Sequence, residues 1–205
     1  TASAVFYANE AIETFLQKQI KAHPHKYFSP IAFEPSDNAK YSHAWLDMRL
    51  TLKMLKALLF VYRSDALIGA TSKEAYESKE LTKIPRPIMD KFIEHSNRYL
   101  AIFTPYKGQT IWFDSLVAIP LVEQFALKGK LFKELPTSAE EKQCLVVTHG
   151  KNSKMQRIAK AAGHTLIHAD LLGNQHLAGS SHYFKLMDGL VKQLSDCLAL
   201  TQRAQ

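Results

Sequence analysis

Apolar and polar positions divide this chain into long helical stretches and a few short, uniformly apolar runs. Val5, Ile12, Leu16 and Ile20 recur near helical spacing, which predicts a helix over residues 3–21. It should stop at His23-Pro24, because proline restricts its predecessor and lacks an amide proton. Residues 23–41 read as a linker packed on the core through Tyr27, Phe28 and Phe33. The strongest pattern follows over 43–63, with Ser42 as N-cap and apolar residues around most of the circumference. Residues 64–84 are polar and mixed in charge, and suit a loop or an internal boundary.

Pro85 and Pro87 open a predicted helix near 87–98. Tyr99–Phe103 and Gln109–Phe113 flank Pro105-Tyr106-Lys107-Gly108, a combination that reads as a β-hairpin. A helix is expected over about 115–128, capped by Asp114 or Ser115 and interrupted by Pro120, with Lys128, Lys130 and Lys133 at its end. The last helix is placed at about 182–202. Phe184, Met187, Val191, Leu194 and Leu198 line one face, opposite Lys185, Asp188, Lys192 and Asp196.

The clearest unit lies between Cys144 and Asp170. Leu145-Val146-Val147 has the uniform apolarity of a strand buried on both faces. Gly150 permits a turn, Asn152 or Ser153 can cap a helix, and Gly163 can end it. A second β-rich run after Gly163, with His164, Leu166 and His168 on one face, then completes a β-α-β unit of parallel strands over 144–168. The predicted class is therefore α/β or α+β and helix-dominated. The predicted organisation is a mainly helical region with a β-hairpin over 1–135, then the β-α-β unit and final helix over 136–205, packed as one body.

Composition adds a chemical bias. Hydrophobic residues make up 46% and charged residues 22%, enough for a substantial core. The formal net charge is +7, which favours an anionic partner. The basic residues also cluster. Arg49, Lys53, Lys56 and Arg63 share one face of the predicted 43–63 helix. Lys151, Lys154, Arg157 and Lys160 recur every three residues along the helix after Gly150, whose free first-turn amides attract anions. Lys107 would sit at the hairpin tip.

These observations lead to the expectation of a noncatalytic subunit that grips a DNA or RNA backbone within a larger protein assembly. The nucleic-acid-binding set is Arg49, Lys53, Lys56, Arg63, Lys107, Lys151, Asn152, Ser153, Lys154, Arg157 and Lys160. No catalytic residue, metal ligand or cofactor is assigned. The alternatives are a phosphodiester-processing enzyme using His149 and Lys151, and a helical scaffold of a secretion or conjugation complex.

Two partial resemblances bear on the enzyme alternative. Val147–Asn152 resembles the strand-to-helix turn of Toprim domains, but His149 stands where that family carries a metal-related glutamate. His149-Gly150-Lys151 is similar to the His-x-Lys core of phospholipase D-like nucleases, but Gln156 stands where that family carries an aspartate. Phosphate-loop, dinucleotide-fingerprint and nucleophile-elbow motifs are missing from the sequence. His164, His168 and Asp170 suggest a metal or acid–base group, but their spacing fits no firm ligand motif.

Cys144 and Cys197 form no Cys-x-x-Cys pair, which fits buried thiols in a reducing compartment. A cytoplasmic location is therefore expected. No apolar run is long enough to span a bilayer. The start, Thr1-Ala2-Ser3, reads as a trimmed chain and not a signal peptide.

Overall fold

The computed structural model describes residues 5–6, 16–23, 27–28, 44–63, 83–135, 141–148, 152–173, 179 and 181–202. The chain divides into two compact units, Thr1–Ile93 and Glu94–Gln205.

In the first unit, β1 (Val5–Phe6) pairs in parallel with β2 (Tyr27–Phe28). The expected helix over 3–21 is thus partly a strand, and only α1 (Gln17–Ala22) is helical among its described residues. Neither a linker nor a helix was the right reading of those aromatic ends, which pair non-locally across 22 positions of sequence. The helix expected at 43–63 begins as a 3-10 turn, Ala44–Leu46, and continues as α2, Met48–Arg63. Ser42 lies outside the described residues. The α2 start is instead held by Asp47, whose Oδ1 accepts from the Arg49 amide at 2.8 Å. Leu46, Met48, Ala57 and Phe60 are buried. The polar stretch over 64–82 lies outside the described residues.

The long helix α3 spans Arg86–Phe103 and carries the boundary between the units. It replaces the first arm of the predicted hairpin. Phe92, Tyr99 and Phe103 are all buried at helical spacing, so burial on one helix face overrides their strand propensity. A short 3-10 turn, Thr104–Tyr106, and Gly108 at a φ of 81° lead into β3, Thr110–Phe113. This strand pairs only in parallel, so no hairpin forms here.

Ser115 caps a 3-10 turn over Leu116–Ala118, and Pro120 sits in the first turn of α4, Ile119–Glu123. The predicted helix to 128 stops early because the chain turns at Ala126, which has a φ of 59°. Lys128 and Lys130 then lie on β4, Lys128–Leu131, instead of at a helix end. Gly129 is required for this approach, since a Cβ there would sit 2.9 Å from Ile119 Cγ2.

The β-α-β unit is present as expected: β5 (Cys144–Val147), α5 (Ser153–Ala162) and β6 (Thr165–His168), with β5 and β6 parallel. Asn152 caps α5, and Gly163 ends it in the left-handed region at a φ of 69°. The final helix, α6, covers His182–Gln202. The whole second unit is a helix-rich α/β arrangement on a four-stranded parallel sheet of order β4-β3-β5-β6. This sheet draws residues 110–131 into the same unit as 144–205, whereas the sequence pattern grouped them with the helical N-terminal part.

All four residues of β5 are buried. Leu145 and Val147 pack with Trp112, Met155 and Ala159 on the α5 side. Cys144 and Val146 alternate to the opposite face. There Cys144 forms a disulfide with Cys197 of α6, with the Cα atoms 5.7 Å apart. The expectation of two separate buried thiols is therefore incorrect. The positions are 53 residues apart and meet only through the tertiary fold.

Closing a loop of this length removes chain entropy from the unfolded state worth about 4 kcal/mol. Thermal unfolding should therefore move to markedly lower temperature when a strong reductant is added. The Cys144→Ala/Cys197→Ala double variant should unfold in the same lowered range and lose its response to the reductant.

Candidate functional site

The topology of the sheet selects one edge as a binding location. The chain moves outward from β3 to β4, returns to the far side of β3 as β5, and continues outward to β6. Its direction reverses between β3 and β5. In open parallel sheets, ligands bind beyond the carboxyl ends of the strands at such a reversal.

Asp114 and Thr148 occupy that position. Asp114 directly follows β3, and its amide donates to Val146 O at 3.2 Å, adding one rung to the ladder. Its Oδ1 accepts twice from Thr148, from the amide at 2.9 Å and from the hydroxyl at 2.7 Å. Thr148 is buried and Asp114 half-buried. The carboxylate is thus held at the carboxyl ends of the strands, with one oxygen committed to the residue after β5. Asp114 Oδ2 has no hydrogen-bond partner among the described residues, and it is not among their fully buried unsatisfied atoms.

The third strand end adds another turn. Asp170 Oδ1 accepts from the amides of Leu172 at 3.2 Å and Gly173 at 3.0 Å. Gly173, at a φ of 68°, packs against His182, where an added Cβ would be 2.9 Å from Nε2. This links the end of β6 to the start of α6.

His164 and His168 do not come together as the sequence suggested. His164 precedes β6, and its Nδ1 accepts from the Gln143 amide at 3.3 Å. Burial pushes its pKa down. His168 ends the same strand and is exposed. Four strand residues span roughly 13 Å, so the two residues sit at opposite ends of β6. Among the described residues, no group of three or more His, Cys, Asp or Glu side chains could hold a metal ion.

The basic residues singled out in the sequence have mixed surroundings. Arg49 donates to Asp47 through Nε at 3.1 Å and Nη2 at 2.7 Å. Lys53 is half-buried, Lys56 is exposed, and the side chain of Arg63 lies outside the described residues. Lys107 is exposed in the turn after Tyr106 instead of at a hairpin tip. Lys151, like His149 and Gly150, lies outside the described residues. Asn152 spends its side chain on the Met155 amide at 3.0 Å, which satisfies one of the first-turn donors expected to hold phosphate. Ser153, Lys154, Arg157 and Lys160 are exposed on α5.

A second polar group joins α3 to α6. Tyr99 Oη donates to Asp188 Oδ1 at 2.5 Å. Arg98 pairs with the same carboxylate. His95 Nδ1 lies 3.0 Å from Tyr99 Oη and 2.8 Å from Arg98 Nη2, and its ring stacks on Phe184. Burial, then the Asp188 carboxylate, pushes the Tyr99 phenol well above its usual pKa. A phenol kept protonated in this way is a clamp between helices and not a nucleophile.

No protein-family model matches the chain, and no curated protein matches it. Solved structures do share its helix-rich α/β fold. The metal-dependent lipoprotein YcdH from Bacillus subtilis is 16% identical, with a TM-score of 0.64 over 95% of this chain and 80% of its own. The Zn(II)-bound ZnuA-like domain of Streptococcus pneumoniae AdcA is 14% identical, with a TM-score of 0.64 over 96% and 81%. The laminin-binding protein Lmb of Streptococcus agalactiae, described as having adhesin and metal transporting activity, is 14% identical, with a TM-score of 0.62 over 94% and 79%.

This likeness overturns the expected nucleic-acid-binding function and its partners. The three compared structures are described as a metal-dependent lipoprotein, a Zn(II)-bound domain and a protein with metal transporting activity. Sequence reasoning treated Asp114 only as a helix cap and passed over Thr148 as a site residue. A signal was present: Ile111-Trp112-Phe113-Asp114-Ser115 and Leu145-Val146-Val147-Thr148-His149 each place a polar pair after three apolar residues.

The Tyr99 clamp makes a pH prediction. A phenol whose pKa is raised on folding contributes stability that is complete below its ordinary value of about 10 and is lost as pH rises beyond it. Urea unfolding between pH 8 and 11 should show wild type losing stability more steeply than Tyr99→Phe. At pH 8 the variant should be weaker by about 1–2 kcal/mol, the worth of a hydrogen bond to a half-exposed carboxylate.

Proposed function

We propose that this chain is a solute-binding protein whose cargo is a divalent metal cation, captured outside the cytoplasm for delivery to a membrane transporter. The observation that carries this reading is the fold likeness to metal-binding proteins over nearly the whole chain. Asp114 supports it as a half-buried carboxylate held by Thr148 at the carboxyl ends of the strands.

Asp114 is the described residue best placed to ligate the cation. The described residues do not complete a coordination set, so the remaining donors come from elsewhere in the chain. His149, next after Thr148 in sequence, is the first candidate. Imidazole and carboxylate donors together suit a cation of the zinc class.

The Cys144–Cys197 disulfide supports an oxidising compartment in place of the cytoplasm. Among the described residues, no helix is long and apolar enough to cross a membrane.

Calorimetric titration of the chelator-stripped protein with Zn2+ tests the proposal. One cation should bind per chain, and Asp114→Ala and His149→Ala should each weaken binding at least tenfold. A protein that takes up neither Zn2+ nor Mn2+ would overturn the reading.

A further inference from the structure

The polar group between α3 and α6 cannot satisfy all its short contacts in one protonation state. Tyr99 Oη carries a single hydrogen, which it gives to Asp188 Oδ1 at 2.5 Å. Arg98 Nη2 carries two, one for the same carboxylate oxygen and one for His95 Nδ1, 2.8 Å away. Arginine has no acceptor, so this last bond requires His95 Nδ1 to be unprotonated. His95 Nδ1 also lies 3.0 Å from Tyr99 Oη, whose hydrogen is already committed. That contact is a hydrogen bond only when Nδ1 carries a proton. The two contacts of Nδ1 therefore demand opposite states. Asp188 Oδ1, 3.4 Å from Nδ1, can compensate the charge of an imidazolium. Among the described residues, Arg98 and Tyr99 on α3 and Asp188 on α6 are the titratable or charged groups that face this ring. Phe184 of α6 stacks on it with the ring centres 4.3 Å apart.

We propose that His95 is a proton-operated switch that decides whether Arg98 is held or free. In the neutral ring protonated on Nε2, Nδ1 accepts from Arg98 and pins the guanidinium against Asp188. In the imidazolium, Nδ1 donates to Tyr99 Oη, its charge faces Asp188, and it repels the guanidinium beside it. Arg98, which is exposed, then swings away as a free surface cation. Tyr99 keeps its bond to Asp188 in both states, so α3 and α6 stay joined while the charge beside the joint changes. Imidazole suits this task because it is the side chain that ordinarily changes charge between about pH 5 and 8, a range in which carboxylates and phenols ordinarily do not.

Nuclear magnetic resonance of the metal-free protein, following the His95 ring carbons and the Arg98 guanidinium nitrogens from about pH 8 to 5, tests the switch. Rotation of the Arg98 guanidinium should be slow at the upper end and about tenfold faster at the lower end, the change expected on losing one charge-assisted bond. Both sets of signals should share one midpoint. His95→Phe keeps a ring on Phe184 but removes Nδ1, and its Arg98 should rotate at one rate throughout. The wild-type midpoints are decisive on their own should the variant fail to fold. Arg98 signals that stay constant while His95 titrates would overturn the proposal, as would an Arg98 response of unchanged midpoint in His95→Phe.

Discussion

The second unit depends on the burial of β5 on both faces. Cys144, Leu145, Val146 and Val147 are all essentially inaccessible. Each large apolar side chain removed from water in this way contributes roughly 1.5–3 kcal/mol. Such a strand has no solvent-facing side, so a helix must cover each face and a strand must pair along each edge. The chain supplies α5 and α6 for the faces, and β3 and β6 for the edges. The disulfide reinforces the α6 side covalently. A residue at the end of such a strand inherits its rigidity, and Thr148 is that residue.

The legible parts of the sequence were those specified by neighbours in the chain. The run 145–147, the cap at Asn152, the left-handed Gly163 and the stripe of α6 are local signals, and each element lies where they place it. Features formed at a distance were not legible. Nothing near Thr110–Phe113 says that it pairs with β5 and not with Tyr99–Phe103. The aromatic content of 99–103 suggested a strand, while its register with Phe92 belonged to a helix. The union of Cys144 with Cys197 and the bonds between Asp114 and Thr148 likewise depend on a sheet order that no short window contains.

Basic charge misdirected the functional reading because a count of cations does not describe their surroundings. Arg49 is tied to Asp47, Arg98 to Asp188 and Lys192 to Asp196. Lys128 is exposed on the edge strand β4, and Lys130 lies 5.6 Å from the centre of the Trp112 ring. Charged residues on an exposed edge discourage pairing with another chain. Ion pairing and edge protection thus account for several cations that formal charge assigned to an anionic partner.

The same constraint connects architecture to chemistry. An identity of 14–16% to the compared structures carries the architecture, and residue chemistry must supply the rest. In this chain the reversal of strand order places β3 and β5 side by side, so their carboxyl ends meet. One end presents an acid and the other an amide and a hydroxyl. Their union commits one carboxylate oxygen to two bonds with Thr148. A strand buried for stability therefore also fixes the orientation of the acid beside it.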